Sequence, residues 1–172
     1  LSAQAVTAPT APLTSGNQDV VVLVKNLGSN TVTSGNVSYQ VNGGSVVTIS
    51  LPTTLAPCAS TLVTFTGANQ YNFTTTSTIK AWTSNPNGSS DNKTTNDTVY
   101  SPQLCFPMSG TYTINKTQPT AGSNFNSFAA AIAKLNCGGI NGPVVFNVAN
   151  GGYTENVTIN SITGASAVNT IT

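Results

Sequence analysis

The chain has 172 residues, enough for one or two domains, and its 38% apolar content can build a core. Only 5% of its residues are charged, against roughly 25% in ordinary globular proteins, so neutral Thr, Ser, Asn and Gly must solvate the surface. Five lysines, no arginine, four acids and a net charge of +1 exclude the clustered cations of a nucleic-acid binder, and no apolar run approaches the about 18 residues needed for membrane insertion.

Residues 1–14 are rich in Ala, Pro, Thr and Ser and read as a lead-in or linker. Leu1-Ser2-Ala3-Gln4 has no basic region followed by an apolar core, so an export signal is expected to be absent or already removed. From residue 15 the pattern is one of short strands. Asp19 to Asn26 is a β-branched run closed by the turn signal Asn26 to Asn30. Asn36 to Val41 and Ser45 to Leu51 flank Asn42-Gly43-Gly44, a strong hairpin signal. Alternation places Val37, Tyr39 and Val41 on one face of the first of these strands, and Val47, Ile49 and Leu51 on one face of the second. After the Pro-containing connection 52–60 come Thr61 to Thr66 and Thr78 to Thr83, whose Trp82 is expected at the centre of a core. Thr98-Val99-Tyr100 closes the series. Strands about ten residues apart with turns between them predict an antiparallel sandwich over 15–104.

Residues 101–109, with Pro102, Cys105 and Pro107, read as a junction. Gly110 to Ile114 is then a strand. In the stretch after Ser123, Phe125, Phe128, Ile132 and Leu135 recur at three- and four-residue steps, which predicts one helix with an apolar stripe. Asn124 or Asn126 can cap its start, Gly138 can take a left-handed conformation at its end, and Pro143 prevents continuation. Strands are expected over Pro143 to Val148, Tyr153 to Ile159 and the last residues to Thr172. A chain ending in a strand is expected to be a fragment of a longer protein.

Three cysteines, Cys58, Cys105 and Cys137, lack CxxC spacing, and no histidine completes a zinc site. In an exported protein one disulfide and one remaining thiol is the simplest accounting. Connectivity does not follow from sequence alone; the pairing expected is Cys105 with Cys137, which both flank the second segment, leaving Cys58.

The segments Val22 to Gly28, Val37 to Gly44, Leu55 to Ser60 and Ala81-Trp82-Thr83 through Asn96-Asp97-Thr98 resemble CARDB-type immunoglobulin-like domains of bacterial surface proteins. In such domains the turn after Leu-Ala-Pro usually carries Gly; here Cys58 stands there. Over 105–172, Gly110 to Ile114, Phe125 to Leu135, Gly142 to Val148, Gly152 to Glu155 and Gly164 to Thr172 resemble the N-terminal cap and first coil of right-handed parallel β-helices in surface proteins exported by the type IX route of gliding bacteria. A physical reason accompanies that resemblance: an open parallel coil exposes apolar side chains and unpaired backbone, which an amphipathic helix laid across its end covers. The expected fold is therefore all-β, an immunoglobulin-like sandwich plus the capped start of a β-helix with one short helix.

Chemistry is scarce in this sequence. Without histidine there is no Ser-His or Cys-His dyad. Glu155 is the one carboxylate of the second segment, whereas a glycosidase needs two flanking one bond; it reads as a hydrogen-bonding residue of a loop or strand edge. Asn85, Asn87, Asp91, Asn92, Asn96 and Asp97 crowd oxygen ligands into one loop, but their spacing is not that of an EF-hand and a solvated loop is expected. Asn36, Asn72, Asn87, Asn92, Asn96, Asn115 and Asn156 each begin an Asn-X-Ser/Thr triplet, which an Asn- and Thr-rich chain produces by chance. The bacterial resemblance instead points to Asp97-Thr98-Val99, which looks like the site for O-linked sugar in that lineage, on Thr98. Tyr71, Phe73 and Trp82 could offer aromatic surface to a sugar, but core packing is the expectation.

These observations predict a non-catalytic structural or adhesive module of a secreted or cell-surface protein. No cofactor or metal is expected, and the expected partners are neighbouring domains of the same long chain, surface glycans or other surface proteins. The alternative is the N-terminal accessory region of a carbohydrate-active β-helix enzyme whose catalytic residues lie beyond residue 172.

Overall fold

The computed structural model describes residues 1–91 and 93–172. The chain is mostly β with a single α-helix among the described residues, and it divides into two compact units: residues 1–10 with 14–104, and residues 11–13 with 105–172.

In the first unit the strands are β1 (Ser2–Ala8), β2 (Gly16–Gln18), β3 (Val20–Lys25), β4 (Asn36–Val41), β5 (Val46–Ser50), β6 (Ser60–Phe65), β7 (Tyr71–Phe73), β8 (Ile79–Ser84) and β9 (Thr98–Tyr100). They form a three-stranded sheet β1-β3-β6, a four-stranded sheet β5-β4-β8-β9 and the pair β2-β7, all antiparallel. Residues 1–14 are thus no simple lead-in. Ser2–Ala8 pairs along β3, with Ala3 opposite Val24 and Val6 opposite Val22, and its low-complexity composition concealed a strand whose partner supplies the hydrophobic alternation.

Alternation fixes the interior. Val20, Val22 and Val24 of β3, Val37, Tyr39 and Val41 of β4, Val63 and Phe65 of β6, and Ile79 and Ala81 of β8 are all buried. The rings of Tyr39 and Phe65 meet edge to face at 4.7 Å, joining an inward residue of the four-stranded sheet to one of the three-stranded sheet. The Tyr39 hydroxyl donates to the Asn69 carbonyl at 2.8 Å, which satisfies its polar end inside the apolar environment. Trp82 does not centre this core. It shares the parity of Lys80 and Ser84, opposite to Ile79, Ala81 and Thr83, so it lies half-exposed on the outer face of the sheet.

Two turns explain the strand order. Asn42 and Gly43 both have positive φ (49° and 74°), and Gly44 N–H donates to the Val41 carbonyl at 2.8 Å. This is the chemistry of a tight hairpin, and it joins β4 to β5. Asn26 is a buried polar residue whose carboxamide closes its own turn: it donates to the carbonyls of Asn30 (2.8 Å) and Leu55 (3.0 Å) and accepts from Gly28 N–H (3.0 Å).

The second unit contains β10 (Met108–Ile114), β11 (Asn124–Phe125), α1 (Phe128–Gly138) and β12 (Ile140–Val148). The sheet order is β11-β10-β12 and both pairings are parallel, with Thr113 opposite Asn124 on one side and opposite Asn147 on the other. Parallel neighbours need a long crossover, and α1 provides the one between β10 and β12. The ladder continues past β12 through Ile171, which bridges Val144 in parallel. Val144 and Phe146 N–H donate to the carbonyls of Thr170 and Thr172, each at 2.8 Å.

The helix starts three residues later than the stripe predicts, because Phe125 is drawn into β11 beside Ile114. Its cap is Ser127, not Asn124 or Asn126: Ser127 Oγ accepts from Ala130 N–H at 3.1 Å. Nor is Gly138 the left-handed residue. It closes the helix where a Cβ would stand 2.1 Å from the Phe106 carbonyl oxygen, and the positive φ (63°) falls on Gly139. The stripe does face the strands: Ala131 and Leu135 are buried with Met108, Ile114, Phe125, Ile140, Val144 and Ile162, and Phe128 packs against them. Tyr153 to Ile159, expected as a strand, has no regular secondary structure and is mostly exposed.

Candidate functional site

The outer face of sheet β5-β4-β8-β9 is a candidate binding surface of the first unit. Pairing places Gln40 opposite Lys80, and Lys80 opposite Tyr100; in the next row Ser38 faces Trp82, and Trp82 faces Thr98. All of these share the outward parity of their strands. Lys80 Nζ stands 5.1 Å from the centroid of the Trp82 ring, within range of a cation–π contact. Tyr100 is 63% exposed. Beside these side chains a hollow of about 360 Å³ is lined by Gln40, Asn42, Gly43, Thr78, Lys80 and Tyr100. The hairpin wall is rigid, since Asn42 donates to the Thr76 carbonyl (3.2 Å) and accepts from Thr78 N–H (2.9 Å). The arrangement offers ring surface, a cation, carboxamides and hydroxyls, but no nucleophile paired with a base. It suits binding.

The sequence singled out Trp82 and Thr98 on this face but not Lys80, Gln40 or Tyr100. Strand parity within Thr78 to Thr83 was the available signal, because it sets Lys80 and Trp82 against Ile79 and Ala81. Tyr71 and Phe73, grouped with Trp82 in sequence, lie elsewhere on β7. Their rings pack at 4.8 Å, and Phe73 is fully buried.

Thr98 is exposed on β9, an edge strand. Asp97 beside it is buried; its carboxyl is held above the ordinary range first by desolvation and then by the nearby Asp91 charge. Asp91 is held low, chiefly by a hydrogen bond from Lys93 N–H. Its carboxylate also accepts from the Leu1 amino group at 2.9 Å. Asn87 is committed to its loop, accepting from Thr33 N–H (2.8 Å) and donating to the Thr31 carbonyl (2.9 Å). Asn92, named both as an oxygen ligand and as a glycosylation triplet, lies outside the described residues. Among the described residues no three Cys, Asp or Glu side chains converge as a metal site.

In the second unit, Cys105 and Cys137 form a disulfide, tying the segment before β10 to the last turn of α1. Cys58 is an exposed free thiol. It occupies a turn in which Ala59 N–H donates to the Ala56 carbonyl at 3.0 Å, and its φ of 64° is the left-handed region that favours glycine. Glu155 acts on the helix. Its two oxygens accept from Phe128 N–H (3.1 Å) and Ala129 N–H (2.9 Å), so with Ser127 it satisfies the N–H groups of the first three helical residues. A carboxylate occupied in this way is a structural group.

Two of the hollows among the described residues lie in this unit. One, of about 460 Å³, lies where β10 and β12 end, lined by neutral groups that include Thr113, Asn115, Gln118, Asn124 and Asn147. The other, of about 380 Å³, is apolar and lies between α1 and the ladder, with Ile132, Leu135, Phe146, Val157, Ile159 and Ile171 among its walls.

Comparison with protein-family models, curated proteins and solved structures yields no match for this chain. No helix among the described residues is long and apolar enough to cross a membrane, and the Cys105–Cys137 disulfide is compatible with an extracellular location.

Proposed function

We propose that this chain is a non-catalytic structural and adhesive part of a long secreted or cell-surface protein. In this reading the first unit is an immunoglobulin-like sandwich of the CARDB type, and the second is the capped start of a right-handed parallel β-helix of the kind exported by the type IX route. The observation that carries the reading is the parallel ladder β10-β12 continued by Ile171, with the apolar stripe of α1 laid against it. A ladder of this kind has an open edge and an apolar interior, and further coils are the simplest structure to complete both. The facing Tyr39 and Phe65 rings support the sandwich, and the exposed Thr98 beside Asp97 is the proposed attachment point for O-linked sugar.

Antibody labelling of intact source cells tests the location. Signal on unpermeabilised cells that external protease removes is expected; signal only after permeabilisation would overturn the proposal. For Thr98, the native protein should be heavier than its polypeptide mass, and Thr98→Ala should abolish the difference. A native mass equal to the bare chain rejects the modification.

A further inference from the structure

We infer that the outer face of sheet β5-β4-β8-β9 binds an acidic saccharide, with Tyr100 as the stacking surface and Lys80 as the counter-charge for a sugar carboxylate. This deepens the adhesive reading and rests on it, since such a ligand is met outside the cell.

Four observations converge on this chemistry. Tyr100 presents a large ring on a flat sheet face at 63% exposure, and no hydrogen bond or ring contact engages it among the described residues. Ring surface of this kind matches the apolar C–H face of a pyranose, while the phenol remains free to meet a hydroxyl. Lys80, directly opposite Tyr100, is paired with no carboxylate among the described residues. The Trp82 ring holds its ammonium over the sheet, which reduces the freedom lost on binding. Third, no Asp or Glu occupies any position of β4, β5, β8 or β9, so nothing on this face repels an anion. Finally, Gln40 donates to the Gly44 carbonyl at 2.7 Å and so presents an oriented carboxamide at the hollow, its oxygen available to a hydroxyl.

The same features exclude other ligands. A single cation is too few for nucleic acid. The hollow is lined mostly by polar side chains, so it lacks the apolar anchors that seat an amphipathic peptide. A neutral glycan would leave Lys80 unused.

Trp82, the only tryptophan, provides the readout because its ring contacts Lys80. The chain is titrated with oligogalacturonate, oligoalginate and hyaluronan fragments, and with the methyl-esterified form of each as a neutral control. Saturable change in Trp82 fluorescence is expected with at least one acidic oligomer. Esterification or Lys80→Gln should weaken binding about tenfold, as expected for loss of a hydrogen bond to a charged group. Tyr100→Ala should weaken it about fivefold, the size of a lost ring contact. Both variants change exposed or half-exposed side chains, and unchanged thermal unfolding verifies their fold. Saturable binding to none of the three oligomers overturns the proposal, as does binding that Lys80→Gln and esterification leave within twofold. Surface labelling involves no ligand, so either experiment can fail without the other.

Discussion

In the first unit, β3 and β4 turn every second residue inward, and Val20, Val22, Val24, Val37, Tyr39 and Val41 are each at most 1% exposed. In the second, the nine-residue β12 buries only Ile140 and Val144, while Val145 and Val148 are exposed. The two units also differ in strand direction. Antiparallel strands can be joined by tight turns, so chain close in sequence supplies both faces of the interior. Parallel strands need a crossover and lie far apart in sequence. The second unit must therefore hold its helix in place by other means: the Cys105–Cys137 bond at one end, and Ser127 with Glu155 at the other.

That contrast can be broken at several points. Phe65→Ala should cost about 3–5 kcal/mol, because it empties fully buried volume beside Tyr39. Urea unfolding followed by Trp82 fluorescence measures this loss, and one below about 1 kcal/mol would mean that the interior collapses around the gap. Replacing both Cys105 and Cys137 by Ser releases a link across 32 positions. It should destabilise the second unit by about 3–4 kcal/mol, read by amide exchange in β12, with the Trp82 transition unmoved. A parallel shift of both signals would show that the units do not unfold independently.

Tyr39 sharpens the comparison through pH. Burial, with a smaller contribution from Tyr71, pushes its phenol from 10.0 up to about 12. Because the folded value exceeds the unfolded one, the associated stability is complete below pH 10 and is lost as pH rises from 10 toward 12. Tyr39→Phe should flatten urea midpoints across that window. An equally steep fall in the variant would assign the alkaline loss to other groups.

Smaller effects are expected at the turns. Ser127→Ala removes one capping bond of α1 and should cost about 1 kcal/mol in the second unit alone. Cys58→Gly should raise stability by several tenths of a kcal/mol, up to about 1, by relieving a left-handed non-glycine residue. The gain is smaller if glycine's greater unfolded-state freedom offsets it. A destabilised Cys58→Gly variant would mean that this offset exceeds the strain relieved.

Much of the fold was legible where one strand carries its own instructions. The alternation of Val37, Tyr39 and Val41 and the turn at Asn42-Gly43 gave the β4–β5 hairpin, and the spacing of Phe128, Ile132 and Leu135 gave the helix. Ser2–Ala8 was not legible, because its Ala- and Thr-rich composition carries no apolar alternation of its own and pairing with β3 makes it a strand. The same holds for the candidate site. Trp82 looked like core material by residue type, and only the burial of Ile79 and Ala81 on the other side of β8 turns it outward with Lys80.

By itself, then, the sequence determined what the chain can be made of. Low charge and abundant Thr and Asn require a neutral polar surface, β-branched alternation requires strands, and the lack of histidine removes the common general base. Tertiary structure alone decided which distant groups meet: Glu155 with the first turn of α1, and Tyr100 opposite Lys80. Periodicity is a local property of the backbone and can be read along the chain. Register between strands is set by packing across many residues, and no single segment encodes it.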